Sequence, residues 1–301
     1  MSKRNTLLVL AVLLPAVFFG LTAAGAANTA PAPAAKGACD RECLSGFVTT
    51  YLDALIAHKP EALPVTADLR FTEDCKEIKL GEGAWKRITR LQGYRRDILD
   101  VRQGVAVSFL VVEEGGQPVL YVVRLKIVDK KISEIESMAV HGQKEGMLFN
   151  TQNLQTVSKT MATPPEKAQM NSREDMVKMA ETYPAGLKAG SFVKVDSPMA
   201  PDAYRFENGQ LMAGPGCTFF QGCDNMKKQF IPTLAGITHR VVAVDEELGV
   251  VVVRMNFGPG STFQGGGELD VWHSFKIYGG LIHAAEAYCK VVPSGTKFGW
   301  E

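Results

Sequence analysis

The sequence predicts an α+β protein built from two copies of one module in tandem. Two sets of echoes predict the duplication. The phrase LKIVDKKISEIE (Leu125–Glu136) returns as FKIYGGLIHAAE (Phe275–Glu286), with Lys126/Lys276, Ile127/Ile277, Ile132/Ile282 and Glu136/Glu286 in one register. Shorter echoes follow the same order: Tyr51-x-x-x-Leu55 with Tyr183-x-x-x-Leu187, Arg70-Phe71 with Arg205-Phe206, and Asp100-x-x-x-Gly104-Val105 with Asp245-x-x-x-Gly249-Val250. The distance between echoes grows along the chain, as loop insertions would make it. The third observation is periodicity: each copy opens at helical spacing and continues in runs rich in Val, Ile, Leu and Phe.

In the first copy Leu44, Phe47, Val48, Tyr51, Leu52 and Leu55 recur at helical spacing. In the second, Met176, Met179, Tyr183 and Leu187 do so, with Pro184 expected to kink or interrupt the helix. A short Arg-Phe strand comes next, followed soon by an acid, Glu73 or Glu207. Four strands are then expected per copy: 94–100, 105–113, 119–127 and 132–140, then 239–245, 250–257, 269–277 and 281–292. Each copy thus has its helices first and a largely antiparallel sheet after them. The polar segment 150–170, with Pro164-Pro165, reads as a linker between a first domain at 39–149 and a second at 171–301.

Before the first copy, Lys3 and Arg4 precede an apolar run, Leu7–Leu21, and then the small-residue pattern Ala24-Gly25-Ala26. Residues 1–26 read as a secretory signal peptide and 27–38 as an Ala/Pro-rich leader. The run is short for a membrane span and holds Pro15, and no later run is long enough to span. The expected location is periplasmic or secreted. All six cysteines follow the signal, and an exported chain is compatible with disulfides; Cys217 with Cys223, and Cys39 with Cys43, are the candidate pairs. Formal charge is +1 with no block of basic residues, which argues against a nucleic-acid partner. No Cys/His spacing suggests a metal, and no cofactor is expected. GPGSTFQGGGE (Gly258–Glu268) links two strands, so it is no phosphate loop; it reads as a flexible connection that could cover a pocket.

The last hairpin raises the chemical question. With Gly279-Gly280 at the turn, simple alternation pairs Ile277 with Ile282, Phe275 with Ala284 and His273 with Glu286. His273, Phe275 and Glu286 then share one mostly apolar face, and Asp129-Lys130 at the first copy's turn puts Glu136 on the matching face. A carboxylate on a covered face needs a partner or a polar pocket. Three readings stand open: a structural ion pair, a sheet edge meeting solvent, or a pocket in which Glu286 and His273 move protons near neutral pH. Tyr51 and Tyr183 either donate to a developing oxyanion or pack as core tyrosines. Arg205 either holds an anionic group or pairs with Glu207.

A long helix, an Arg-Phe strand with an acid after it, and four strands ending K-I-x-x-x-x-I-x-x-x-E resemble the nuclear transport factor 2-like (SnoaL-like) superfamily. The phrases CDRECLSGFVTTYLDALIAHKPEALPVTADLRFTED, VVRLKIVDKKISEIES, THRVVAVDEELGVVVVRMNF and VPSGTKFGW resemble an exported two-repeat family of bacteria and fungi with no general function assigned. The resemblance implies cone-shaped domains, each a curved sheet wrapped around helices with a pocket inside. Relatives include cofactor-independent isomerases, dehydratases and polyketide cyclases, and also proteins that only bind, so fold does not fix function. The expectation is an exported small-molecule-binding protein whose two halves pack as an intramolecular pseudo-dimer. Its ligand would be a small, mostly apolar organic molecule. As a lyase, isomerase or hydratase it would use His273 and Glu286 as the proton-handling pair and Tyr183 as the oxyanion donor. Arg205, Glu207, Phe275, Tyr51 and Glu136 would line pockets. The alternative is a non-catalytic ligand-binding or interaction module of the cell envelope.

Overall fold

A computed structural model describes residues 39–258 and 267–300. The signal peptide and leader expected at residues 1–38, and most of the glycine-rich connection after Gly258, lie outside the described residues.

Helix α1 (Arg41–Ile56) starts at Asp40, whose side chain accepts from the Cys43 N–H and caps the first turn. The strands β1 (Val65–Glu73), β2 (Lys76–Glu77), β3 (Ile88–Asp100), β4 (Val105–Glu114), β5 (Gln117–Val128) and β6 (Lys131–Val140) follow. Two short helices, α2 (Gln143–Gly146) and α3 (Lys159–Ala162), lead to α4 (Arg173–Ala189), capped by Ser172 and ended by left-handed Gly190. The second copy then lays down β7 (Met199–Glu207), β8 (Gln210–Ala213), β9 (Thr238–Asp245), β10 (Val250–Asn256), β11 (Glu268–Tyr278) and β12 (Leu281–Val292). Pro184 does not interrupt α4; its ring is buried, so packing offsets the hydrogen bond it cannot make.

The two sheets have the same order, β2-β1-β6-β5-β4-β3 and β8-β7-β12-β11-β10-β9. All neighbours are antiparallel except β1 with β6 and β7 with β12. The α+β class and the duplication are therefore as the sequence predicts, with one parallel pair added to each sheet. Each sheet turns one face to its own long helix. Tyr51, Leu55, Tyr121 and Ile135 share the first inner core, and Tyr183, Leu187, Phe275 and Ala285 the second. The outer faces meet in a third core containing Phe109, Val122, Val252, Trp272 and Tyr288. Both copies and the segment between them form one compact unit. Among the described residues, no helix is long and apolar enough to cross a membrane.

The contact between copies has a two-fold pattern at its centre. Arg41, at the start of α1, meets Asp245 of β9 at 2.7 Å, and Asp245 also accepts from the Leu99 N–H at 2.9 Å. Arg173, at the start of α4, meets Asp100 of β3 at 2.5 Å, and Asp100 accepts from the Val244 N–H at 2.9 Å. The repeated aspartates thus tie each copy to the other's helix and edge strand.

The hairpin register departs from simple alternation in both copies. The turns sit where expected, with positive φ at Asp129-Lys130 and Gly279-Gly280. Ile277 pairs with Ile282, but Lys276 pairs with Ala284, so His283 is an extra residue in β12. Ser133 is the corresponding extra residue in β6. A β-bulge of one residue sends every later side chain to the opposite face. Phe275 therefore pairs with Ala285, Ser274 with Glu286, and His273 with Ala287. The expected pairing of His273 with Glu286 is corrected: the two side chains leave opposite sides of the sheet.

Candidate functional site

Glu286 faces the other copy. Its Oε2 accepts from Arg96 at 2.7 Å; its Oε1 accepts from Tyr204 at 2.9 Å and from Ser158, in the connecting segment, at 3.0 Å. It borders a cavity of about 80 Å³ between the copies, with Tyr94 and Tyr288. Glu136 does the same in reverse: it accepts from Arg240 and Arg254 of the second copy. Arg254 is fully buried, reaches Asp270 at 2.8 Å, and lies over the rings of Trp272 and Phe298 at 4.9 and 5.0 Å. Both glutamates are thus ion-paired across the copy interface, and neither lines the inside of its own module. The expectation that they line the interiors of their own modules is corrected accordingly; Glu286 lines the small cavity between the copies instead.

The interior of the second module holds a different group of residues. A cavity of about 480 Å³ is lined by Tyr183, Leu187, Arg205, Glu207, Met212, Phe219, Phe220, Phe230, Ile231, Leu234 and Cys289, among others. Its walls are mainly apolar. Arg205 is 6% exposed and gives Nη1 to the Tyr183 oxygen at 3.2 Å and Nη2 to Gln229 Oε1 at 3.1 Å. Its Nε lies 3.1 Å from Glu207 Oε1 without the alignment of a hydrogen bond, so this contact is an ion pair of the partly exposed kind. Burial disfavours the Arg205 charge, but Tyr183 and Glu207 outweigh it, and the net effect holds the guanidinium charged. Burial pushes the Tyr183 phenol up to about 12, with Arg205 opposing, so Tyr183 stays protonated and can donate its O–H. Phe192 and Phe275 pack on its ring at 4.9 Å each and fix its direction.

His273 lies behind this group rather than in it. Its ring stacks on Phe275 and meets the Tyr183 ring edge-on at 4.8 Å. Neither ring nitrogen has a partner among the described residues. Burial, reinforced by Arg205, holds its pKa well below the usual histidine value, so the imidazole is neutral. Phe275 likewise packs behind Tyr183 instead of lining the cavity. Tyr183, Arg205 and Glu207 are the expected residues that the structure brings together. Gln229 and Cys289 join them, and no motif pointed to either. Burial raises the Cys289 thiol well above its ordinary value, so it is a poor nucleophile.

Among the described residues, the first module places no arginine at the matching inward position. Phe71 pairs with Ile135 where Arg205 pairs with Ala285, so the Arg-Phe echo is one residue out of structural register. Arg70 is on the surface with Glu77 and the Trp300 ring, and the inward position is Phe71. Tyr51 is fully buried, 2.8 Å from the Tyr121 hydroxyl and edge-on to Trp85, so it acts as a core tyrosine. Glu73, matching Glu207, has no arginine ion pair among the described residues; it accepts from the Ala84 N–H at 3.0 Å. Burial pushes it up to about 7 despite that bond. Its raised pKa makes the folded state less stable as pH rises from the ordinary 4.5 through about 7. The loss above that window is on the order of 3 kcal/mol. Urea unfolding of Glu73→Gln should therefore match the native chain at pH 4 and exceed it at pH 8; equal stability at pH 8 would contradict the assignment.

Both candidate disulfides are present, Cys39–Cys43 and Cys217–Cys223, while Cys75 and Cys289 are free. Cys217–Cys223 closes the loop that carries Phe219 and Phe220 to the cavity. With the expected bond in place, this loop is the wall of the site that the sequence left unassigned.

The second copy matches a domain of unknown function, DUF8021, over residues 169–289. No curated protein matches the chain. Similar solved structures include a nuclear transport factor 2-like protein of unknown function from Cytophaga hutchinsonii ATCC 33406, with 9% identity and a TM-score of 0.27, covering 32% of this chain and 88% of that one. A proposed ketosteroid isomerase from Kribbella flavida DSM 17836 has 16% identity and a TM-score of 0.27, covering 33% and 78%. IdmH, a proposed polyketide cyclase from Streptomyces antibioticus, has 13% identity and a TM-score of 0.26, covering 32% and 91%.

Proposed function

We propose that this protein is an exported binder of a small organic molecule, and that its site is the interior of the second module. One observation carries this reading. A buried, charged arginine, a protonated tyrosine and the partly exposed Glu207 stand at the floor of a mainly apolar cavity of about 480 Å³. Buried donors with spare N–H and O–H capacity suit a ligand whose apolar body fills the cavity and whose carbonyl or carboxylate oxygen meets Arg205 and Tyr183. The two disulfides support export.

A second reading is catalytic, and Glu207 favours it. It is the carboxylate lining the same cavity as Tyr183 and Arg205, and its side chain is 20% exposed. Glu207 would take a proton from the carbon beside a bound carbonyl, while Tyr183 and Arg205 stabilise the oxyanion that forms. The Glu286–His273 pair takes no part in either reading.

The probe 1-anilinonaphthalene-8-sulfonate, an apolar body with an anionic head, tests the site. It should bind one per chain with enhanced fluorescence. Met212→Trp, which fills the cavity from its wall, should abolish binding, and Tyr183→Phe should weaken it roughly fivefold by removing one donor. Binding that survives Met212→Trp unchanged would place the probe elsewhere and reject the reading. For the catalytic version, deuterium uptake by a bound ketone in heavy water should be lost in Glu207→Gln while affinity is retained.

A further inference from the structure

The cavity of about 80 Å³ between the copies takes no part in either reading, yet its walls hold unused hydrogen-bonding groups. Tyr288 of β12, 3% exposed, lines it and has a buried hydroxyl with no partner among the described residues. Its ring meets Phe109 edge-on at 5.3 Å, which fixes the direction of the phenol. Arg96 of β3, 5% exposed, gives Nη1 to Glu286 and Nη2 to Ser274, and its Nε is likewise without a partner. Tyr94 brings a second buried phenol to the same wall. Burial pushes Tyr94 up to about 12 and Tyr288 well above the ordinary tyrosine value, so both keep their protons. Glu286 already accepts three hydrogen bonds, which leaves about one of a carboxylate's four acceptor positions. Leu154 and Phe206 add apolar wall, and the exposed Asn153 and Thr156 stand on the solvent side. A buried donor without a partner is costly, and folded proteins rarely keep one that nothing meets.

We propose that this cavity is a second binding site, separate from the interior of the second module, for a small neutral amide: an acetamido group, free or at the end of a larger molecule. The charges decide against an ion. Arg96 and Glu286 neutralise each other at 2.7 Å, so an anion would face Glu286 with no cation to spare, and a cation would face Arg96. The unused groups are donors with one acceptor position beside them, and an amide answers both kinds. Its oxygen would accept from Tyr288, its N–H would donate to Glu286, and its methyl would lie against Leu154 and Phe206. At about 30 Å³ per water, the space takes roughly two or three waters or one group of acetamide's size. The rest of a longer ligand would leave past Asn153 and Thr156. Neither copy holds this site alone: Tyr94 and Arg96 come from the first, Glu286 and Tyr288 from the second, and Leu154 from the segment that joins them.

The test is saturation-transfer nuclear magnetic resonance on the full chain, with N-methylacetamide as the probe. It should bind with a Kd in the millimolar range, as suits a ligand of roughly five non-hydrogen atoms. Tyr288→Phe should weaken binding about tenfold while the urea midpoint stays the same or rises, because the lost hydroxyl had no partner. Thr156→Trp, which plugs the cavity from an exposed position, should abolish binding. Acetate, of similar shape but anionic, should bind at least roughly tenfold more weakly. Met212→Trp fills the other cavity and should leave the affinity unchanged, which separates this site from the proposed function. As competitors, N-acetylglucosamine and N-acetylglycine methylamide tell whether a sugar or a peptide carries the group. Four results would overturn the proposal: no saturation transfer, which would leave the cavity to water; unchanged affinity in Tyr288→Phe or Thr156→Trp; loss of binding in Met212→Trp; or acetate binding as tightly as the amide.

Discussion

Glu136→Ala should destabilise the whole protein by about 3–5 kcal/mol, the loss seen when one partner of a buried ion pair is removed. Glu136 and Arg254 are both fully buried, and Arg240 donates to the same carboxylate. Without Glu136, Arg254 retains Asp270 and its two aromatic neighbours but loses half of its compensating charge in a site that water does not reach. A domain typically has only about 5–15 kcal/mol of stability, so the variant should unfold at a much lower urea concentration. Glu77→Ala is the matched control. Its pair with Arg70 is largely exposed, 43% and 69%, and its loss should change stability by under about 1 kcal/mol. Equal urea midpoints for Glu136→Ala and Glu77→Ala would show that the interface network does not hold the copies together.

Arg205→Met should abolish useful ligand binding, weakening it about 100-fold, while most of the fold survives. A hydrogen bond from a buried charged group contributes about 1.5–3 kcal/mol, and a factor of 100 corresponds to about 2.7 kcal/mol. Methionine keeps the length and apolar stem of arginine, Glu207 can hydrate because it is partly exposed, and Gln229 still donates to the Met226 carbonyl. Arg205→Lys should rescue little, because one ammonium cannot replace a planar fork that reaches Tyr183 and Gln229 together. Calorimetric titration with the naphthalene sulfonate probe reads the effect. An unchanged affinity in Arg205→Met would show that the head group lies elsewhere.

The fold was legible in the sequence because duplication and strand periodicity are local signals. The turns at Asp129-Lys130 and Gly279-Gly280 lie where those signals put them, and so do the eight long strands, except that β3 begins at Ile88, six residues before the expected start. Trp272 packs between the copies. Of the residues named from the sequence, Tyr183, Arg205 and Glu207 share the cavity. What was not legible depended on one residue of length or on contacts across the copies. His283 looks like any strand residue, yet as an extra residue it moves Glu286 away from His273. The Arg70–Arg205 echo is genuine in sequence, but a one-residue offset leaves one arginine outside and buries the other. Arg96, Arg240 and Arg254 answer the two buried glutamates from the opposite copy, and no spacing within one copy announces that. Gln229 reaches Arg205 from an irregular loop, where periodicity carries no information.

The extra residue at His283, matched by Ser133, has a consequence for how such twins diverge. Deleting that one position would remove the bulge but keep the register, because Ala284 would still meet Lys276; Glu286 and Tyr288 would stay in the seam, and Ala287 and Cys289 in the hollow. A lineage could thus lose either bulge by a single codon without moving its acidic group out of the joint.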